Sequence, residues 1–156
     1  MKRSLDNRLG LLVADIARRY GVLYDQRAKA EIELTRAQSR LLLYLSAYGE
    51  LRQTDLATLA DVTPMTVARM LDRMEAAGWV ERQADPADRR AFRVSVTGKA
   101  DGRLEAALAL GDDMTSRMTE GFSKDEMKTL LQLLKRMRGN LATCSAGVGV
   151  EGAAQD

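Results

Sequence analysis

The chain has 156 residues, enough for one domain of ordinary size whose core needs no metal or disulfide staple. With 24 Lys and Arg against 22 Asp and Glu, its net charge of +2 is too small to argue for nucleic acid by itself, so such a case rests on where the arginines sit. The absence of histidine excludes His-based catalytic triads and the usual zinc sites, and the single cysteine, Cys144, excludes an intrachain disulfide.

Residues 5 to 27 set Leu5, Leu9, Leu12, Ile16, Tyr20 and Leu23 at spacings of three and four, one apolar stripe on a helix. Thr35 and Gln38 form a capping box that opens a second helix through Leu41, Leu42 and Leu45 to a stop at Gly49. A short helix is expected from Gln53 to Leu59. In "DVTPMTVARMLDRMEAAGW" Thr63 is a natural N-cap, Pro64 takes the first helical position, where its missing N–H costs nothing, and Gly78 ends the helix. The short turn between these two helices gives the spacing of a helix-turn-helix. Its miniature core is Leu56, Leu59, Val62, Val67 and Leu71, Ala57 is the small residue that lets the first helix pass close to the second, and Asp61 stands in the turn where Gly is frequent. "WVERQ" and "AFRVSV" then flank the charged tip "DPADRR"; the period-two alternation of Phe92, Val94 and Val96 reads as a strand, and the pair as a two-stranded wing.

Thr97 is placed to cap a helix carrying Leu104, Leu108, Met114 and Met118. Ser123 and Glu126 form a second capping box before a last helix with Met127, Leu130, Leu131, Leu134, Met137 and Leu141. The Gly- and Ala-rich end reads as a flexible tail. No apolar run approaches the roughly 20 residues of a membrane helix, and residues 1 to 20 carry Asp6, Asp15 and several arginines where a signal peptide needs an unbroken apolar stretch. A cytoplasmic protein with no membrane partner is expected, and the lone thiol agrees with a reducing compartment. The fold class is mainly α with a small β-hairpin wing.

The stretch "LDRMEAAGWVERQADPADRRAFRVSVT" resembles the MarR family of bacterial transcriptional regulators in its recognition-helix end, Gly turn, first wing strand, Asp-x-Arg tip and closing Thr. The likeness runs from the first helix to the last. It implies a winged helix-turn-helix lobe over residues 50–96, a helical dimerisation region from residues 1–49 and 97–145, and a tail over 146–156. It further implies a homodimer that binds a pseudo-palindromic operator in double-stranded DNA, a repressor relieved by a small, often aromatic, effector. Two departures stand out: Val96, Thr97 and Gly98 are adjacent, which predicts a less regular first turn in the next helix, and Ser39 occupies a position that is often aromatic.

By this resemblance the recognition helix enters the major groove with its N-terminal half, placing Thr63, Met65, Thr66, Arg69 and Arg73 nearest the DNA. Arginine donates two hydrogen bonds to guanine, threonine reaches bases or phosphate, and a helix N-terminus favours phosphate. The competing reading pairs Arg69 and Arg73 with Asp72 or Glu75 on a solvated face. At the wing tip Arg90 would enter the minor groove, Asp88 would orient it, and Arg89 would reach groove or phosphate. An effector pocket would draw on Tyr20, Tyr24, Arg40 and Tyr44, the arginine holding a carboxylate. Cys144 reads as an unreactive thiol and the eight methionines as adaptable packing. No cofactor, metal site or catalytic constellation is expected, so the chain is not read as an enzyme. The alternative is a winged-helix module for protein interaction without regulatory DNA binding.

Overall fold

The computed structural model describes residues 7–148. In chain order they form α1 (Leu9–Glu31), α2 (Arg36–Tyr48), β1 (Leu51–Arg52), α3 (Gln53–Ala60), α4 (Pro64–Ala76), β2 (Val80–Asp85), β3 (Asp88–Val96), a 3-10 turn (Gly98–Ala100), α5 (Asp101–Met118) and α6 (Lys124–Val148). The chain divides into two compact units, with the boundary between Met114 and Thr115. Leu5 and residues 149–156 of the expected tail lie outside the described residues; α6 continues to Val148, three residues into the segment read as tail from 146.

Local chemistry sets the starts of α2, α4 and α6. The Thr35 hydroxyl accepts the Gln38 N–H at 3.2 Å while Gln38 accepts the Thr35 N–H at 2.9 Å, the reciprocal box expected there. Ser123 and Glu126 repeat it at 2.8 and 3.2 Å. The Thr63 hydroxyl accepts the Thr66 N–H at 3.2 Å with Pro64 opening α4. In the turn between α3 and α4, Asp61 takes the left-handed conformation at φ 53°, which Asp tolerates better than most side chains.

The first unit is held by a core drawn from its helices and its hairpin: Tyr24 and Ala28 of α1, Leu41, Leu42 and Leu45 of α2, Leu56 of α3, Val67, Leu71 and Met74 of α4, Val80 of β2, Val94 of β3 and Leu110 of α5 are all buried. Leu59, expected in the small core of the helix-turn-helix, is instead 37% exposed. On α1 the buried residues are Gly21, Tyr24 and Ala28, not the predicted stripe; Leu9, Leu12, Ile16 and Leu23 are between 44% and 59% exposed. An apolar stripe shows that a face is to be covered, not by what.

The sheet has three antiparallel strands in the order β1-β3-β2, one more than the expected two. β1 pairs Leu51 with Val94 and Arg52 with Arg93; two residues are too few to leave a period in the sequence. β2 and β3 form the hairpin, in register from Val80↔Val96 to Ala84↔Phe92, with an irregularity at Ala84/Asp85 before the Pro86–Ala87 tip. Thr97 does not cap a helix through its side chain. Its hydroxyl donates to the Gly78 carbonyl at 2.5 Å and its N–H to the Trp79 carbonyl at 3.0 Å, so it clasps the end of β3 onto the turn after α4. The 3-10 turn that follows is the irregular start predicted from Val96-Thr97-Gly98.

Candidate nucleic-acid interface

On α4 the buried positions are Val67, Leu71 and Met74, and the spacing of four and three puts Thr66, Arg69 and Arg73 together on the opposite, exposed side. Met65 stands beside them, 66% exposed. The Thr66 hydroxyl lies 2.8 Å from that of Thr63, so the two form one polar pair at the helix start.

The acids of α4 do not neutralise these arginines. Arg82 of β2 takes both of them: its Nη2 donates to Asp72 and to Glu75 at 2.6 Å each, and its Nε to Glu75 at 3.0 Å. That guanidinium holds the Glu75 carboxyl below the usual carboxylate range, and Glu75, followed by Asp72, raises the affinity of Arg82 for its proton against the opposing effect of burial. Arg69 and Arg73 therefore make no ion pair with any described residue, contrary to the competing reading of a self-neutralised surface.

At the wing, the acid with the structural role is Asp85, a role the sequence does not signal. Its buried carboxylate accepts from Arg52 Nε at 2.7 Å, Arg93 Nε at 3.1 Å and the Ala87 N–H at 2.8 Å. Arg93 also reaches Glu50 at 3.1 Å. The Ala87 N–H, and after it Arg52 and Arg93, hold the Asp85 carboxyl down at about 2 even though burial pushes the other way. Asp88 accepts the backbone N–H of Arg90 at 2.9 Å, so it shapes the strand start that carries Arg90. Arg90 is exposed, with no ion pair to a described residue; the side chain of Arg89, like that of Cys144, lies outside the described residues.

The four residues proposed for an effector fall into two pairs. Tyr20 and Tyr24 face each other with ring centroids 5.9 Å apart, and burial, then the proximity of Tyr24, pushes the Tyr20 hydroxyl pKa up. The buried Tyr24 hydroxyl has no hydrogen-bond partner among the described residues. Arg40 donates to the Tyr44 hydroxyl at 3.1 Å and to the Leu59 carbonyl at 3.3 Å. Only Arg40 lines the groove of about 990 Å³ between α1, α2 and the end of α3, where it stands with Lys29 and Arg36 over Leu34, Ala60 and Val62. Ser39 is buried and donates to the Thr35 carbonyl at 3.2 Å, outside that groove's lining. Among the described residues no group of three His, Cys, Asp or Glu is placed to hold a metal, and no helix is long and apolar enough to cross a membrane.

A helix-turn-helix whose second helix presents unpaired arginines, followed at once by a charged hairpin on the same sheet, defines a winged helix-turn-helix protein of the DNA-binding class. The MarR family model matches residues 34–92, from just before α2 into β3. Transcriptional regulator HosA of Escherichia coli is 32% identical over 105 residues, which are 67% of this chain and 78% of that protein. Multiple antibiotic resistance protein MarR of Escherichia coli is 31% identical over 107 residues, 68% of this chain and 74% of that one. The crystal structure of a Cys-to-Ser mutant of Escherichia coli MarR complexed with operator DNA matches with a TM-score of 0.71 at 28% identity, covering 86% of this chain and 99% of that chain. The chain belongs to the MarR family, and its class is that of the DNA-binding transcriptional regulators.

Proposed function

We propose that the protein acts as a homodimeric repressor that binds a pseudo-palindromic operator and releases it when a small aromatic molecule binds. The observation that carries the DNA contacts is the diversion of Asp72 and Glu75 to Arg82, which leaves Arg69 and Arg73 exposed and uncompensated beside Thr63, Met65 and Thr66. Each arginine has the two-donor fork that guanine O6 and N7 accept, and Met65 offers an apolar tip to a thymine methyl. Arg90 supplies a cation to the minor groove, with Arg89 beside it in sequence and Asp88 fixing the backbone between them. Two such lobes related by a two-fold axis meet one face of a duplex when the half-sites lie about one helical turn apart. Operator binding by the related MarR crystallised with its DNA supports the same mode here.

For the effector, Arg40 at the edge of the groove would hold a carboxylate, with Tyr44 against it and Tyr20 and Tyr24 paired on α1. A ligand releases DNA if it favours a lobe spacing that misfits the operator, and a tenfold loss of affinity needs only about 1.4 kcal/mol of such preference. Screening aromatic acids and phenols for both thermal stabilisation and operator release tests this part.

Selection of bound sites from random duplex DNA at low salt tests the main reading. The expected outcome is a two-fold symmetric motif whose affinity falls steeply as salt rises, because phosphate contacts release counterions. Arg69→Ala is expected to cost about 1–3 kcal/mol on that motif and to relax base preference at one position of each half-site. A pool in which nothing is enriched removes the repressor reading and leaves a winged-helix module for protein interaction.

A further inference from the structure

We infer that Arg82 is a positioning residue for DNA recognition, which fixes the wing at one distance from the recognition helix and thereby sets how many base pairs separate the major-groove contacts from the minor-groove contacts. The inference rests on the DNA-binding reading above. It begins from the joint between helix and wing: α4 and β2 are joined by three residues that include Gly78, at φ 76°. The base of the hairpin is held there by Thr97 and by the buried Val80 and Val94, and Arg82 adds a polar tie to α4 farther along the strand.

Arg82 lies beyond the joint, on β2, and reaches back across it. Its side chain is 20% exposed. Asp72 and Glu75 lie three residues apart on α4, nearly one turn, and both converge on its guanidinium at 2.6 Å. The backbone N–H of Arg82 also donates to Glu75 at 3.2 Å, so Glu75 is held by the main chain and the side chain of the same residue. Planar, multidentate geometry of this kind suits arginine and not lysine. Arg82 pairs with Val94 across the hairpin, which transmits the restraint to β3 and along it to Arg90. At the other end of the hairpin the Asp85 carboxylate, gripped by Arg52 and Arg93, ties the tip back to β1. The hairpin is clamped at both ends, and the clamp on the recognition helix is Arg82.

The same contacts have a second effect. Asp72 stands three residues after Arg69 on α4, within ion-pairing reach in a helix, and its engagement by Arg82 leaves Arg69 available to DNA.

The test uses the full chain and the duplex selected by the wild type. Three probes are compared by fluorescence anisotropy: the selected core with its A/T-rich flank at the selected spacing, the same flank moved outward by one base pair, and the core with a G/C-rich flank. Wild type is expected to prefer the selected spacing by roughly tenfold, the scale of one disrupted contact. Arg82→Gln should lower that preference to near twofold while leaving the affinity for the G/C-flanked core within about threefold of wild type. Arg82→Lys, which keeps the charge but not the fork, should also lose most of the preference. Exchanging the partners, as Arg82→Glu with Glu75→Arg, should restore part of it. Undiminished preference in Arg82→Gln and Arg82→Lys would overturn the inference, and so would an equal loss on all three probes, which marks a residue needed only for folding. If the wild type itself binds no duplex, the DNA-binding reading falls and this inference with it.

Discussion

Asp85 sits at the wing base with three donors on its carboxylate, and its response to pH follows from them. In the folded chain it keeps its charge down to about 2, whereas its ordinary value, that of the unfolded chain, is 3.8. Its contribution to stability is therefore complete above about pH 4 and is lost as the pH falls toward 2, where both states become protonated. Asp85→Asn is expected to be less stable than wild type at pH 7, with a gap that closes between pH 4 and pH 2 in urea unfolding curves. A gap that stays constant over that range would show that the charge of Asp85 contributes nothing. At Gly78, φ is 76° and an added Cβ would lie 3.1 Å from Cδ of Lys99. Lys99 is flexible and moves aside, so the backbone conformation dominates, and Gly78→Ala should cost about 1–2 kcal/mol in thermal unfolding. Gly78 was legible in the sequence because a helix stop is a local signal. Asp85 was not: its partners Arg52 and Arg93 come from two other strands, and nothing in "DPADRR" separates a buried aspartate from an exposed one.

Among the elements, the capping boxes at Thr35 and Ser123 and the start of α4 at Thr63 were readable for the same reason: donor and acceptor lie three residues apart. Where an element is defined by distant partners the sequence was silent. β1 exists because Leu51 and Arg52 meet Val94 and Arg93, and Thr97 binds Gly78 because the hairpin returns the chain to the turn after α4. Arg103 of α5 belongs with these. It donates to the Ile32 carbonyl and, at 2.8 Å, to Glu33, and its guanidinium stands 5.4 Å from the ring centre of Trp79. One side chain thus joins the end of α1, the start of α5 and the turn that follows the recognition helix. Arg103→Ala should destabilise the chain by about 1–2 kcal/mol, the loss of a partly exposed cation–π contact and of charge-assisted hydrogen bonds. Trp79 is the only tryptophan, so its emission reports the change directly. Unchanged emission and unchanged unfolding would mean that Arg103 does not hold that turn.

At the scale of the whole molecule, the net charge of +2 gives little long-range attraction for DNA, so affinity rests on local contacts, which the proposed dimer would double. The two apolar faces at the chain ends are the surfaces the proposed dimer would use. On α1, Leu9, Leu12, Ile16 and Leu23 are exposed in the single chain, and on α6 so are Leu131, Leu134 and Leu141. Faces of this kind mark association sites, and a second copy of the chain is the proposed cover. Leu134 and Leu141 are 44% and 66% exposed, so aspartate at these positions burdens the fold of one chain little while placing four charges in the interface of a dimer. Each large apolar side chain removed from such an interface withdraws about 1.5–3 kcal/mol, so the four together withdraw about 6 kcal/mol or more, a factor on the order of 10⁴ in the dimer dissociation constant. Leu134→Asp combined with Leu141→Asp should sediment as a monomer with wild-type helix content at concentrations where the parent is a dimer. Its affinity for a complete palindrome should fall to the affinity that wild type shows for a single half-site, because each lobe then binds alone. A double variant that still sediments as a dimer would exclude α6 from the interface, and one that is monomeric yet binds the palindrome as tightly as wild type would show that dimerisation is not what joins the two half-sites.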